Sequence, residues 1–137
     1  MILLLGIAVL AFAFYEAYLK HPPEGSIASY AANAGFSGFE LVEAIAIAYA
    51  ESAGDPNAVG DLDLGRSIGL WQINLRAHPE YSEQELLDPQ TNANAAFAIY
   101  QAAGNSFRPW STFNSGAYSN FLERAGNEVP QEGDNGG

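Results

Sequence analysis

Ser37 to Asn74 reads SGFELVEAIAIAYAESAGDPNAVGDLDLGRSIGLWQIN. Its first part predicts a helix. Ser37 and Glu40 have the spacing of a capping box, in which each side chain satisfies a backbone N–H of the first turn. Phe36 and Leu41 occupy the two positions of a hydrophobic staple. Leu41, Val42, Ala44, Ile45, Ala46, Ile47, Ala48 and Tyr49 spread apolar surface nearly all round, which places this helix in the middle of a fold. Gly54 and Pro56 end it, the glycine as a left-handed cap and the proline as a breaker. Glu51 falls in the last turn, where the helix dipole disfavours a negative charge. Apolar surroundings disfavour it further, so its pKa is expected to rise. A carboxyl held protonated in this way can serve as a general acid. The plainer reading of such a residue is a solvated Glu at a helix end.

The following segment, Asp55 to Arg66, is polar and carries Gly60 and Gly65; it leads into Ser67-Ile68-Gly69-Leu70-Trp71-Gln72-Ile73-Asn74. Three features stand in order: Glu51-Ser52, the turn Asp55-Pro56-Asn57-Ala58, and Gly69-Leu70-Trp71-Gln72-Ile73-Asn74, with Gly69 eighteen positions after Glu51. Together they resemble the lysozyme-like superfamily, most closely its soluble-lytic-transglycosylase-like muramidase domains common in phages. In that family a Glu-Ser pair closes a buried helix and a G-L-x-Q-[IVL]-x stretch crosses the cleft. The resemblance covers roughly residues 25–125.

Around this centre the chain is read as follows. Ser26 caps a short helix to Ala34, with Gly35 as its stop. Leu75 to Leu87 is a connector with one helical turn, where Ser82 and Glu85 again have capping-box spacing. Asp88 as N-cap and Pro89 at the first helical position open a longer helix to about Gly104. The resemblance places a helix beginning near L-x-D-P-x-x-N at this point. Phe107 to Tyr118 reads FRPWSTFNSGAY. The family has a Trp followed by A-Y-N-x-G, matched here by Trp110 and Phe113-Asn114-Ser115-Gly116. Phe113 replaces a Tyr that in the family donates a hydrogen bond near the catalytic Glu, with Tyr118 as a stand-in. Trp110 suits both core packing and sugar stacking. A last helix is expected over 118–125, stopped by Gly126, with 127–137 a polar, Gly-rich tail.

Residues 1–20, MILLLGIAVLAFAFYEAYLK, are apolar from Ile2 to Leu19 apart from Glu16. Three readings stand: a membrane anchor through residues 2–19 with Tyr15, Tyr18 and Lys20 at the interface, a cleaved signal peptide, or an apolar helix packed on the domain. His21 to Gly25 is a stiff hinge or linker. The expected organisation is therefore 1–20 anchor or signal-like segment, 21–25 linker, 26–126 domain and 127–137 tail. The fold class is mainly α, lysozyme-like, with a small irregular or hairpin wall between Val59 and Ile73.

The 137 residues suffice for one domain, and 48% hydrophobic residues argue against a disordered chain. Absence of cysteine removes disulfides and thiolate metal sites. A net charge of −11 argues against nucleic acid as partner, because phosphate binding needs basic clusters. His21 and His78 lie far apart with no HExxH or Cys partner, so no metal is expected.

The resemblance implies cleavage of the β-1,4 bond between N-acetylmuramic acid and N-acetylglucosamine in peptidoglycan glycan strands. Glu51 would be the catalytic acid, without cofactor or metal. Ser52, Ser67, Gly69, Gln72, Asn74, Trp110, Asn114 and Tyr118 are the expected substrate-binding residues, with Gly69 admitting close approach of the sugar. With no second carboxylate in the motifs, the same Glu would next act as base on the muramoyl 6-hydroxyl, giving an anhydro ring: a lytic transglycosylase. The alternatives are a hydrolase with Asp61 or Asp63 as base and a glycan-binding module that does not cut. Arg66 is expected to pair with Asp61 or Asp63, and Asp55 to cap the central helix. A virion or bacterial-envelope location, with the domain facing the wall, would suit such an anchored chain.

Overall fold

The computed structural model describes residues 21–60 and 63–131. The apolar segment 1–20, Asp61 and the end of the tail lie outside the described residues. The elements are α1 (Ile27–Ala34), α2 (Gly38–Ser52), β1 (Val59–Gly60), β2 (Ser67–Ile68), β3 (Ile73–Asn74), α3 (Glu83–Leu86), α4 (Pro89–Ala102), α5 (Ser111–Asn114), a 3-10 turn over Ala117–Phe121, and α6 (Leu122–Glu128). The architecture is mainly helical with one small antiparallel sheet in the order β1-β2-β3. Val59 pairs with Ile68, and Ile68 with Ile73. The expected hairpin wall is thus a three-stranded ribbon with two-residue strands.

Helix α2 is the axis. Ala44, Ile45, Ala46, Ile47 and Ala48 are fully buried, so the helix is apolar all round because neighbours cover it on every side. Helix α1 packs on α2 and α4, and the 3-10 turn and α6 pack on α2. The helix starts at Ser37 as expected, but its capping box does not form: Ser37 makes no side-chain cap bond. Burial of Phe36 and Leu41 in the core holds this end instead. At the other end Ala53, not Gly54, takes the left-handed cap position (φ 54), and its N–H bonds to Tyr49 O. Asp55 does not cap the helix; its Oδ1 accepts from Asn57 N at 2.9 Å and closes the turn that follows.

The other sequence signals hold where the partners are local. Ser26 Oγ accepts from Ser29 N at the start of α1, and Asp88 caps α4 with Pro89 at its first position. Ser82 and Glu85 form a complete capping box on α3. At the C-terminal end Gly126 does not stop the last helix. Helix α6 runs through it to Glu128, and Val129 packs against the core, so the packed unit extends beyond residue 126.

The ribbon is fastened to the helices by three buried side chains. Asn92 on α4 accepts from Trp71 N at 3.0 Å and donates to Ile68 O at 2.8 Å and Leu86 O at 2.9 Å. Trp71 donates from Nε1 to Ala44 O on α2 at 2.9 Å. Trp110 donates from Nε1 to Trp71 O at 2.9 Å. Both backbone polar groups of Trp71 are therefore satisfied by side chains from elsewhere in the chain, as buried backbone groups require. No helix among the described residues is long and apolar enough to cross a membrane.

Candidate active site

A cleft of about 380 Å³ opens between the C-terminal end of α2, the ribbon and the segment leading into α5. Glu51 lines it from the last turn of α2. Burial pushes the Glu51 carboxyl up from its ordinary pKa, and Thr112 pulls part of the way back by hydrogen bonding to the charged form. The Thr112 hydroxyl donates to Glu51 Oε1 at 2.8 Å. The group therefore combines a desolvated site, which favours the proton, with one fixed donor that sets the orientation of the carboxyl.

The ribbon brings Ser67, Gln72 and Asn74 to the same cleft. Asn74 is anchored through both ends of its amide. Its Nδ2 donates to Leu64 O and Ser67 Oγ, each at 3.2 Å, and its Oδ1 accepts from Arg76 N and Ala77 N, each at 3.0 Å. Gln72 sits in left-handed backbone (φ 48). Its Nε2 reaches across the ribbon to Ala58 O at 3.0 Å and Gly69 O at 2.9 Å. A Cβ on Gly60 would lie 2.6 Å from Gln72 Oε1, so glycine on β1 makes room for this side chain. These amides hold the wall rigid while the exposed parts of the same side chains face the cleft.

Trp110 contributes to the lining and is also buried through its indole N–H, so the two readings of this residue meet in one side chain. Four expected contacts lie elsewhere. Ser52 is buried beside Glu51, but its hydroxyl donates to Ala48 O at 2.9 Å and accepts from Gly54 N at 3.2 Å, finishing the helix. Gly69 (φ 77) is small for an internal reason: a Cβ there would collide with Asn92 Nδ2 and lie 2.7 Å from Leu86 O. Asn114 donates from Nδ2 to Arg108 O at 2.8 Å, on the surface. Tyr118 packs against Phe113, with ring centroids 4.9 Å apart and the rings tilted by 34°.

Arg66 pairs with Glu83 on α3 at 2.8 Å, not with Asp63. Asp63 is exposed and is not among the described residues that line the cleft. Two residues join the site that the motifs did not single out. Thr112 supplies a hydrogen bond to Glu51 of the kind the resemblance assigns to a Tyr at position 113; its hydroxyl lies one residue upstream, directly before Phe113. His78 lines the cleft from the turn after β3. Among the described residues no group of three His, Cys, Asp or Glu side chains is placed to hold a metal ion.

No curated protein and no solved structure matches the chain. A family model described as a lysozyme-like domain matches residues 28–112, from α1 through the ribbon and α4 to Thr112 beside Glu51. The match covers more than half of the sequence and spans every element that builds the cleft, and the chain accordingly belongs to the lysozyme-like domain family.

Proposed function

We propose that the domain cleaves the β-1,4 bond between N-acetylmuramic acid and N-acetylglucosamine as a lytic transglycosylase, with Glu51 as its acid and then its base. Family membership supports peptidoglycan-directed glycosidase chemistry. The observation that carries the finer reading is the environment of Glu51: a carboxyl at a helix end, desolvated, oriented by Thr112 and open to a cleft. A carboxyl with a raised pKa holds its proton nearer neutral pH and gives it to the leaving oxygen as positive charge develops on the sugar. The resulting carboxylate then takes the proton of the muramoyl 6-hydroxyl, which attacks the anomeric carbon and closes the anhydro ring. Ser67, Gln72 and Asn74 supply hydroxyl and amide groups suited to ring hydroxyls and N-acetyl groups, and Trp110 supplies an aromatic edge. The address of the domain, at an envelope or virion surface, rests on residues 1–20 alone.

Digestion of purified sacculi in oxygen-18 water tests this. Anhydro-muropeptides without label are expected, and Glu51→Gln should lower the rate by about three orders of magnitude or more. Label at new reducing ends, lost in Asp61→Asn or Asp63→Asn, would instead establish a hydrolase and identify its base.

A further inference from the structure

Glu51 and His78 are the two ionisable side chains among the described residues that line the cleft. They arrive from different elements. The His78 turn is closed by its own N–H, which donates to Asn74 O at 2.9 Å, and by Asn74 Oδ1, which accepts from Arg76 N and Ala77 N. The imidazole is therefore carried on backbone tied to the wall of the ribbon. Its Nδ1 lies 3.5 Å from Glu80 Oε1, and its side chain keeps 29% of its surface accessible. Glu80 on the same turn stands beside it and Glu51 on α2 lines the same cleft; the remaining lining side chains are neutral. Arg66 is paired with Glu83, and Arg76, two residues before His78 on the same turn, is exposed and does not line the cleft.

We propose that His78 is the carboxylate-binding subsite of the cleft. This rests on the reading of the cleft as a peptidoglycan site and adds to it the group that distinguishes a muramoyl chain from a neutral one. N-acetylmuramic acid differs from N-acetylglucosamine by a lactyl ether that ends in a carboxyl group, free in denuded strands and joined to a stem peptide with its own carboxylates otherwise. A protein of net charge −11 has no long-range attraction for such a chain and needs a local partner. A protonated imidazole donates from both nitrogens. With Nδ1 on the side of Glu80, Nε2 is the nitrogen that serves the substrate carboxylate through a charge-assisted hydrogen bond.

The test uses Glu51→Gln as a parent, so that glycans are bound and not cut. Binding is measured at pH 6 for three probes: chitohexaose, a denuded N-acetylglucosamine–N-acetylmuramic acid hexasaccharide, and the same chain with stem peptides. Adding His78→Gln should weaken a carboxylate-bearing probe about tenfold, as expected for one charge-assisted hydrogen bond, and leave chitohexaose within about twofold. Loss confined to the denuded chain assigns the lactyl carboxylate, and loss confined to the peptide-bearing chain assigns the stem. His78→Arg should retain the preference. With Glu51 restored, His78→Gln should raise KM and leave kcat unchanged, the pattern for binding that is equal in ground and transition states. Equal weakening of all three probes, or none, overturns the proposal while the glycan site stands. Failure of the Glu51→Gln parent to bind any of the three overturns both.

Discussion

Glu51 is subject to two opposed influences, burial raising its pKa and Thr112 lowering it, with burial the larger. This has a consequence for stability. The folded state holds the proton to higher pH than the unfolded chain, so this group's contribution is most favourable below the ordinary carboxylate range. It is lost as pH rises through the folded pKa. Glu51→Gln removes the charge and keeps the acceptor for Thr112. It should raise the melting temperature at pH 7 and give no advantage at pH 4; calorimetry at the two pH values checks this. Thr112→Val removes a donor that favours the carboxylate, so the Glu51 pKa should climb further. The alkaline limb of the pH–rate profile should then move to higher pH with a lower maximum, because the carboxyl also loses its fixed orientation. An unshifted limb would detach Thr112 from the chemistry. The position of Glu51 was legible in the sequence because its signals are local: an apolar helix, a Glu-Ser end, a Pro-Asn turn. The Thr112 bond was not, because it joins residues 61 apart and depends on which face of α5 meets the helix end.

At the scale of elements, the wall is joined to helices α2 and α4 through Trp71 and Asn92. Asn92 makes three hydrogen bonds to backbone groups from a fully buried position. Asn92→Ala leaves those groups unpaired at about 1–3 kcal/mol each, so a loss of about 3–5 kcal/mol is expected in urea unfolding. Wall lysis should fall with it even at temperatures where the variant is folded, because the ribbon loses its register against α4. In the last turn of α2, Tyr49 donates to Glu128 Oε1 at 2.5 Å while Arg124 stands 3.9 Å over the Tyr49 ring. Burial and the adjacent Glu128 carboxylate both push the Tyr49 pKa up. Tyr49→Phe keeps the ring under Arg124 and removes the bond, at a cost of about 1 kcal/mol. Strong caps were legible here: Asp88-Pro89 and Ser82 with Glu85 behave as their spacing dictates. Ser37 with Glu40 has the same spacing and forms no box, since burial of Phe36 and Leu41 fixes that end of α2 without it. Gly126 failed as a stop because α6 is held by packing on α2, which outweighs the modest propensity cost of an interior glycine.

The whole molecule carries 16 acidic residues against 5 basic ones, and two of those cations are tied up in ion pairs, Arg66 with Glu83 and Arg124 with Glu128. This imbalance was legible from composition, whereas the partners of the arginines, set by tertiary contacts, were not. Removal of residues 1–20 should leave a soluble domain, because the motifs, and the core among the described residues, begin after Gly25; aggregation of the shortened chain would show that the segment packs on the fold. Charge leads to the last expectation. Peptidoglycan is anionic, and the approach of an acidic enzyme to it is opposed over the Debye length, about 30 Å at 0.01 M salt and about 8 Å at 0.15 M. The contacts inside the cleft are short and partly buried, and salt screens them far less. Raising salt from 0.01 M to 0.15 M should therefore increase kcat/KM on sacculi severalfold, through a faster encounter. Turnover of a short, peptide-free glycan, which carries less charge, should change less. A fall in rate on sacculi over the same range would mean that attraction to the wall, through a basic surface, dominates the encounter, and would count against recognition by neutral hydrogen bonds and one local imidazole.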